Sequence, residues 1–213
     1  TIDNDLGATE VTFGFDTAMN TATDAVDKIH TTAESHHRVM IVEVMGRDAG
    51  WIALSAGIAG GAHVILIPEI QFTLEGVVKH VAERESYGKH FTIIVVAEGI
   101  SLPRELKDSR MGSVGTVVGN AIAVMAHKEV RISVLGHIQR GGSPTPYDRI
   151  LATRFGVAAV DLIAQGGFGK MVCLRNTRIE AVDIAEAIGK MKNVDPGGEL
   201  VSAARAIGIC FGD

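Results

Sequence analysis

Two carboxylates flank an amide in the pentapeptide Thr1-Ile2-Asp3-Asn4-Asp5, and a leucine and a glycine follow it. A loop of this kind can use one carboxylate as a general base and hold a cation beside the other. Proton abstraction next to a bound cation is therefore the first chemistry that the residue types indicate.

Three short apolar runs end in polar residues that could bind an anion or a hydroxyl group. The runs with their ends are Val39–Val44 with Met45-Gly46-Arg47, Phe91–Ala97 with Glu98-Gly99, and Ile132–Leu135 with Gly136-His137-Ile138-Gln139-Arg140-Gly141-Gly142. In open parallel sheets, ligands bind beyond the carboxyl ends of the strands. Guanidinium groups suit phosphate, and a carboxylate and an imidazole suit hydroxyls, so a polyhydroxylated, phosphorylated ligand is favoured. The side chains expected to converge are those of Arg47, Glu98, His137 and Arg140. Each alone also has a structural explanation, and only their agreement indicates a site.

Two further arginines, Arg38 and Arg131, precede their expected strands and so belong to the amino edge of the sheet. A strand of five or six residues is about 17–20 Å long, so one small ligand does not reach both edges. We therefore expect these arginines to serve a site on another subunit or a different site, unless they are simply surface residues.

The expected elements alternate between helices and strands along the chain. Expected helices are Phe15–His30, Ala49–Gly60, a helix capped by Thr73 and running to about Tyr87, Ser113–His127, Tyr147–Ala164 and Val182–Lys192. Expected strands are Val39–Val44, Val64–Ile67, Phe91–Ala97, Ile132–Leu135 and Met171–Leu174, with a surface loop over Ser101–Gly112. Continuous apolar strands that alternate with helices are typical of a parallel sheet buried on both faces.

Composition excludes several classes of function. The 213 residues are 46% hydrophobic but only 5% aromatic, a composition that fits layered α/β packing better than an aromatic-rich β-sandwich. A net charge of −5 argues against a nucleic-acid or membrane-surface binder. The two cysteines, Cys173 and Cys210, fit a reduced cytosolic protein rather than a disulfide scaffold. No apolar run is long enough to span a bilayer, and no P-loop or zinc-ligand spacing is present.

Three segments together resemble the 6-phosphofructokinase family: Thr1-Ile2-Asp3-Asn4-Asp5, Glu43-Val44-Met45-Gly46-Arg47, and Gly136-His137-Ile138-Gln139-Arg140-Gly141-Gly142-Ser143-Pro144. The resemblance implies an α/β fold, a parallel-sheet three-layer sandwich in a two-domain phosphofructokinase-like arrangement. Two Gly-Gly-Asp segments of the family's donor site are not in this sequence, so the N-terminal half of the nucleotide domain is expected to be missing. The remnant of this phosphoryl-donor domain would be residues 1–14 with 139–191, and the sugar-phosphate-binding domain would be 15–138 with 192–213.

The resemblance also implies a reaction and a role for each matching residue. The reaction is phosphoryl transfer from ATP to O1 of fructose 6-phosphate, with Mg²⁺, giving fructose 1,6-bisphosphate in glycolysis. Asp3 would match the base that takes the proton from the sugar 1-hydroxyl, Arg47 would stabilise charge on the transferred group, and Asp5 would lie near Mg²⁺. The other substrate-binding residues would be Thr1, Ile2, Met45, Gly46, Glu98, His137, Ile138, Gln139 and Arg140.

The same resemblance implies a cytoplasmic homo-oligomer, either a dimer or a tetramer. Arg38 and Arg131 would match arginines that one subunit lends to the 6-phosphate in its neighbour. This implication agrees with the argument from the strand edges, which was made without it.

Two alternatives to the ATP-dependent enzyme stay open. The residue before the Thr-Ile-Asp segment helps to separate ATP users from pyrophosphate users, and the sequence does not include it. One alternative is therefore a pyrophosphate-dependent phosphofructokinase, and the other is a catalytically incompetent fragment that only binds sugar phosphate. His30 and His63 fall where the short bacterial form carries an Arg and a Glu of its effector site, so feedback of that kind is not expected.

Overall fold

The computed structural model describes residues 1–106 and 112–213. The expected surface loop over Ser101–Gly112 lies partly outside the described residues, and its described part contains a 3₁₀ turn at Arg104–Leu106. The helices are α1 Phe15–His36, α2 Trp51–Ala59, α3 Leu74–Ser86, α4 Val114–Ala126, α5 Pro146–Ala164, α6 Ile184–Ile188 and α7 Glu199–Ala206. The strands are β1 Val39–Val44, β2 Val64–Leu66, β3 Thr92–Ala97, β4 Val130–Val134, β5 Lys170–Arg175 and β6 Arg178–Asp183.

Hydroxyl caps begin three of the helices. The side chain of Thr73 accepts a hydrogen bond from the N–H of Gly76 at the start of α3, as expected from the sequence. Ser113 accepts likewise from Thr116 at α4, and Thr145 accepts from Asp148 at α5, where Pro146 occupies the first turn. These caps satisfy N–H groups that have no partner inside the helix.

Four parallel strands form the main sheet in the order β2-β3-β1-β4. Every residue of β1 and β3 is buried, which explains why both read as continuous apolar runs. Helices α1 and α2 pack against each other and on the sheet. Helix α4 also packs on the sheet, and α3 packs against α4. The expected α/β class, with helices flanking a parallel sheet, is confirmed.

The expected helix over Val182–Lys192 is wrong in its first part. Residues Arg178–Asp183 form β6, which pairs antiparallel with β5, and only the short helix α6 follows. The hairpin turns at Asn176 and Thr177, which both have positive φ angles of 46° and 67°. Consecutive positive φ angles are typical of a type I′ turn, for which Asn176 is a usual residue but Thr177 is not, so the Asn-Gly pair that would mark the hairpin in the sequence is absent.

The C-terminal residues return to the main sheet after α7. Cys210 forms a parallel bridge with Val64 at the start of β2, and its N–H donates to the carbonyl of His63 at 3.0 Å. Phe211 is completely buried in the same apolar core as β1, β2 and β3. Separate small clusters of buried residues lie under α5 and the β5–β6 hairpin. In the part of the chain that the structure describes, none of the helices combines the length and apolar character needed to cross a membrane.

Candidate active site

The carboxyl ends of β1, β3 and β4 meet at one edge of the sheet, as the polar strand ends require. Val44 pairs with Ala97 and Glu43 pairs with Val134, so the three strands end in register. The N–H of Glu98 donates to the carbonyl of Val44 at 2.9 Å, and that of Leu135 donates to the carbonyl of Glu43 at 3.0 Å. The turns that carry Arg47, Glu98 and the His137–Arg140 segment therefore lie side by side.

The turn after β1 is held by the carboxylate of Glu98. One oxygen of Glu98 accepts hydrogen bonds from the N–H groups of Gly46 and Arg47, at 3.3 Å and 3.0 Å. Both residues have positive φ angles, 147° for Gly46 and 52° for Arg47, which turns their N–H groups toward the same oxygen. Glu98 thus fixes the direction in which the exposed side chain of Arg47 leaves the turn.

Gly99 allows the two turns to touch. A Cβ atom built at Gly99 would lie only 1.7 Å from the carbonyl oxygen of Arg47. No side chain fits in that space, so the glycine is required by close backbone approach. The sequence analysis did not identify this residue as part of the site, although a glycine next to a strand-end carboxylate is a usable signal.

The 3₁₀ turn Gly136–Arg140 contains side chains in two different environments. His137, Ile138 and Arg140 are exposed at the strand edge, where a ligand can reach them. Gln139 is completely buried instead: its Oε1 accepts from the N–H of Met45 at 2.7 Å, and its Nε2 donates to the carbonyl of Ala18 at 3.4 Å. Gln139 was expected among the substrate-binding residues, and its side chain holds the turn after β1 against α1.

A cavity of about 310 Å³ joins this edge to the Thr1–Asp5 loop. Its lining residues include Ile2 from the loop and Gln139, Arg140, Gly141 and Gly142 from the strand-end segment. The structure therefore brings the first and third motifs of the sequence to one cavity.

The two acids of the Thr1–Asp5 loop are only partly satisfied by hydrogen bonds. Thr1 Oγ1 donates to Asp3 Oδ2 and accepts from the Asp3 N–H, both at 3.1 Å. Within residues 1–106 and 112–213, Asp3 Oδ1 and Asp5 Oδ1 are buried and have no hydrogen-bond partner. A buried carboxylate oxygen without a donor is costly, and a cation or an acidic proton supplies the missing partner. The described residues hold no cluster of three or more His, Cys, Asp or Glu side chains that could bind a metal ion. These two oxygens are thus the acceptors of the loop that no donor among the described residues satisfies.

A lysine far away in the sequence contacts the same loop. The ammonium of Lys192 lies 5.6 Å from the centre of the Trp51 ring and donates hydrogen bonds to acceptors in residues 4–10. Burial lowers the pKa of this amine to about 8, although the carboxylates of Asp5 and Glu10 act to raise it. The sequence analysis missed Lys192, and because 188 residues separate it from Asn4, no local pattern could have shown the contact.

The two arginines of the amino edge share one carboxylate. Arg38 Nε contacts Glu129 Oε2 at 2.9 Å, and Arg131 contacts the other oxygen of the same side chain. The expectation that Arg131 precedes its strand is wrong: it is the second residue of β4 and pairs with Met40, because pairing with β1 begins at Val130. The hydrogen bond with Arg38, together with the positive charges of Arg131 and Arg38, holds the pKa of this exposed carboxyl below its usual value.

Comparisons with known proteins identify relatives of this arrangement. The Phosphofructokinase family model matches residues 1–163. The ATP-dependent 6-phosphofructokinase of Chloroflexus aurantiacus is 56% identical over 218 residues, which cover all of this chain and 61% of that protein. The pyrophosphate–fructose 6-phosphate 1-phosphotransferase of Amycolatopsis mediterranei is 54% identical, over 91% of this chain and 60% of that protein. The chain thus spans about three fifths of the length of these curated relatives.

A solved structure agrees with the sequence matches. Phosphofructokinase from Saccharomyces cerevisiae matches with a TM-score of 0.77 and 32% identity, over 97% of this chain and 26% of that one. The fold of this chain is therefore similar to that of a solved phosphofructokinase. Because the family model covers more than half of the 213 residues, this chain belongs to the phosphofructokinase family.

Proposed function

We propose that the full-length protein transfers a phosphoryl group to O1 of fructose 6-phosphate, giving fructose 1,6-bisphosphate. The observation that carries this proposal is the cavity lined by both Ile2 and Arg140, which joins the loop of Asp3 to the strand-end segment of Arg140. A phosphosugar bound along the strand ends would present a hydroxyl to that loop. The cytoplasm, and glycolysis there, are the proposed setting for this reaction.

Asp3 is the proposed general base. Its side chain is 3% exposed, one oxygen is bonded to Thr1, and the other has no partner among the described residues. The free oxygen would take the proton of the sugar 1-hydroxyl as the oxygen of that hydroxyl attacks phosphorus. A base within hydrogen-bond reach of the proton that it removes is the geometric requirement for this role.

The strand-end residues would bind the acceptor and the charge that moves. Phosphoryl transfer depends on alignment and on electrostatic stabilisation more than on covalent chemistry. The exposed guanidinium of Arg47 would stabilise charge on the transferred group, while Arg140 and His137 would bind the sugar phosphate. Glu98 would bind sugar hydroxyls through the oxygen that does not hold the turn of Gly46 and Arg47.

Asp5 is the residue of this chain proposed to hold Mg²⁺. Its buried Oδ1 lacks a hydrogen-bond partner within the described ranges, which fits a carboxylate ligand of a hard cation. The ion would neutralise charge on the donor phosphates, and the rest of its coordination would come from the donor, water and residues outside these 213.

ATP is the proposed donor, in agreement with the name of the Chloroflexus aurantiacus relative. Pyrophosphate is the second candidate, because the Amycolatopsis mediterranei relative is nearly as similar and is named for that donor. A coupled assay of the full-length protein with fructose 6-phosphate separates the two, since only the true donor supports turnover at micromolar to millimolar concentration.

We also propose the division into two domains described from the sequence, with residues 1–14 and 139–191 in the donor domain. Four large apolar side chains of α5 are more than half exposed in this chain: Ile150, Val157, Val160 and Ile163. A monomer rarely leaves such a face uncovered, which supports a donor domain that continues in residues outside this sequence.

Replacing Asp3 by Asn is expected to lower kcat by at least about 100-fold, because the amide cannot accept the proton. Binding of fructose 6-phosphate, measured by calorimetry, is expected to change little, since the strand ends are untouched. The matched control is Asp27→Asn, at an exposed aspartate on α1. Near-normal turnover by Asp3→Asn would remove Asp3 from the mechanism.

A binding module without turnover is the remaining alternative. Calorimetry on the 213-residue chain and turnover by the full-length protein distinguish it from the enzyme. Binding of fructose 6-phosphate with no turnover from either donor supports the module, and absence of binding even in the full-length protein excludes both.

A further inference from the structure

The ammonium of Lys192 donates all three of its N–H groups to acceptors in residues 4–10, a segment that begins within the Thr1–Asp5 loop. It donates to Asn4 Oδ1 at 2.8 Å, to the Thr9 carbonyl at 3.1 Å and to the Glu10 carbonyl at 2.7 Å. An ammonium has three donors and no acceptor, so this inventory is complete. A lysine used in this way holds a fixed geometry instead of serving as a solvated surface charge.

Asn4, which accepts a hydrogen bond from Lys192, lies between the two acids of the loop. Asn4 is buried and adopts a left-handed conformation with φ of 56°, and its Oδ1 also accepts from the N–H of Thr12 at 3.1 Å. Asn is one of the few residues that adopts this conformation at modest cost. Since Asn4 connects Asp3 to Asp5, its orientation sets the directions of both carboxylates.

The backbone of Lys192 is also hydrogen-bonded, to the Trp51 side chain and to the Asp5 carbonyl. Its carbonyl accepts from Trp51 Nε1 at 2.7 Å, and its N–H donates to the Asp5 carbonyl at 2.8 Å. Trp51 begins α2, four residues after Arg47. One residue therefore connects the loop of Asp3 to the segment that carries Arg47.

We propose that Lys192 is a positioning residue for phosphoryl transfer, which holds the Asp3-Asn4-Asp5 loop in line with the Arg47 turn. The proposal rests on the proposed function. Lys192 touches neither the strand-end residues that would bind the sugar phosphate nor the reacting atoms. Its loss should therefore affect the chemical step and leave acceptor binding unchanged, whereas a general loss of structure would affect both.

The test replaces Lys192 by Met in the full-length protein, which keeps the length of the stem and removes the three donors. The expected result is a fall in kcat of about 100-fold, the size associated with an ångström-scale displacement of reacting groups. The dissociation constant of fructose 6-phosphate, measured by calorimetry, should stay within twofold of the wild-type value. Lys192→Arg, which keeps the cation, should recover part of the lost turnover.

Lys190→Met is the matched control, because this neighbouring lysine is exposed and contacts the loop through its backbone carbonyl. A folded Lys192→Met protein with wild-type kcat overturns the proposal, and so does an equal loss of kcat and of sugar-phosphate binding. Hydrogen exchange supplies a readout that does not depend on activity: the Thr12 amide should exchange faster in Lys192→Met or Lys192→Arg than in Lys190→Met.

Unchanged exchange of Thr12 in a folded Lys192 variant also overturns the proposal. If the wild-type protein turns over neither donor, the proposed function fails, and the exchange of Thr12 then decides the role of Lys192 in holding the loop. If Lys192→Met does not fold, the same comparisons are made with Lys192→Arg.

Discussion

The positions of the side chains at this site are set by close contacts with the backbone. Glu98 is expected to bind sugar hydroxyls, yet one of its oxygens already orders the turn of Gly46 and Arg47. Gly99 lets the carbonyl of Arg47 come so close that a methyl group would not fit. Chemistry at the residue scale therefore depends on a glycine that contributes no functional group.

Replacing Gly99 by Ala should force the turns of Arg47 and Glu98 apart, because the new Cβ would overlap the Arg47 carbonyl. We expect a loss of about 1–3 kcal/mol in the free energy of unfolding and weaker binding of sugar phosphate. Denaturant titration and calorimetry on the full-length protein measure the two effects. At the control position Gly197, a Cβ would lie 3.6 Å from its nearest neighbour, Asp195 Oδ1, so Gly197→Ala should change little. Equal effects at both positions would contradict this account.

Among the elements, the parallel strands were predictable and the hairpin was not. Strand β1 is found at the expected residues Val39–Val44, since strands buried on both faces must be apolar throughout. Half of the residues of strand β6 are charged (Arg178, Glu180 and Asp183) and the strand is mostly exposed, so no continuous apolar run marks it in the sequence. Its turn has the strained pair Asn176 and Thr177, whose positive φ angles appear only in the folded chain.

The turn of the hairpin is where a single substitution should stabilise the fold. Thr177 has φ of 67°, which a β-branched residue adopts at a cost, and Gly adopts it freely. We expect Thr177→Gly to raise the free energy of unfolding by about 1 kcal/mol, as measured by denaturant titration. Thr177→Ala keeps a Cβ at the same φ, so its gain should be clearly smaller. A decrease in stability for Thr177→Gly would show that the turn is not strained.

At the scale of the whole molecule, assembly into an oligomer would explain the pair of arginines at the amino edge of the sheet. Within the described part of this chain, the ion pairs of Arg38 and Arg131 are those with the shared carboxylate of Glu129. Arg38 immediately precedes β1 and Arg131 is the second residue of β4, so both lie toward the edge of the sheet opposite the strand ends that carry Arg47, Glu98 and His137. We therefore propose an oligomer in which these arginines reach the neighbour's site.

Mixed oligomers test this proposal directly. Subunits with Asp3→Asn lack the base and keep Arg131, whereas subunits with Arg131→Ala keep the base and lack the lent cation. If the arginine acts across an interface, reassembling the two variants together should restore turnover above the sum of the separate proteins. A mixture that shows only that sum, with mixed assembly confirmed by mass, would place Arg131 outside the neighbour's site.

The sequence by itself determined the alternation of apolar strands and helices, the carboxylate loop and the polar strand ends. These are local properties, because strand burial and turn chemistry leave their pattern in neighbouring residues. Only the tertiary structure decided that Gln139 is buried and hydrogen-bonded to Met45, and that Lys192 is hydrogen-bonded to Asn4 in the loop of Asp3. Both contacts join residues that are far apart in the chain, and such contacts depend on how the elements pack. The acids that would do the chemistry are thus readable from the sequence, and the groups that aim them are visible only in the fold.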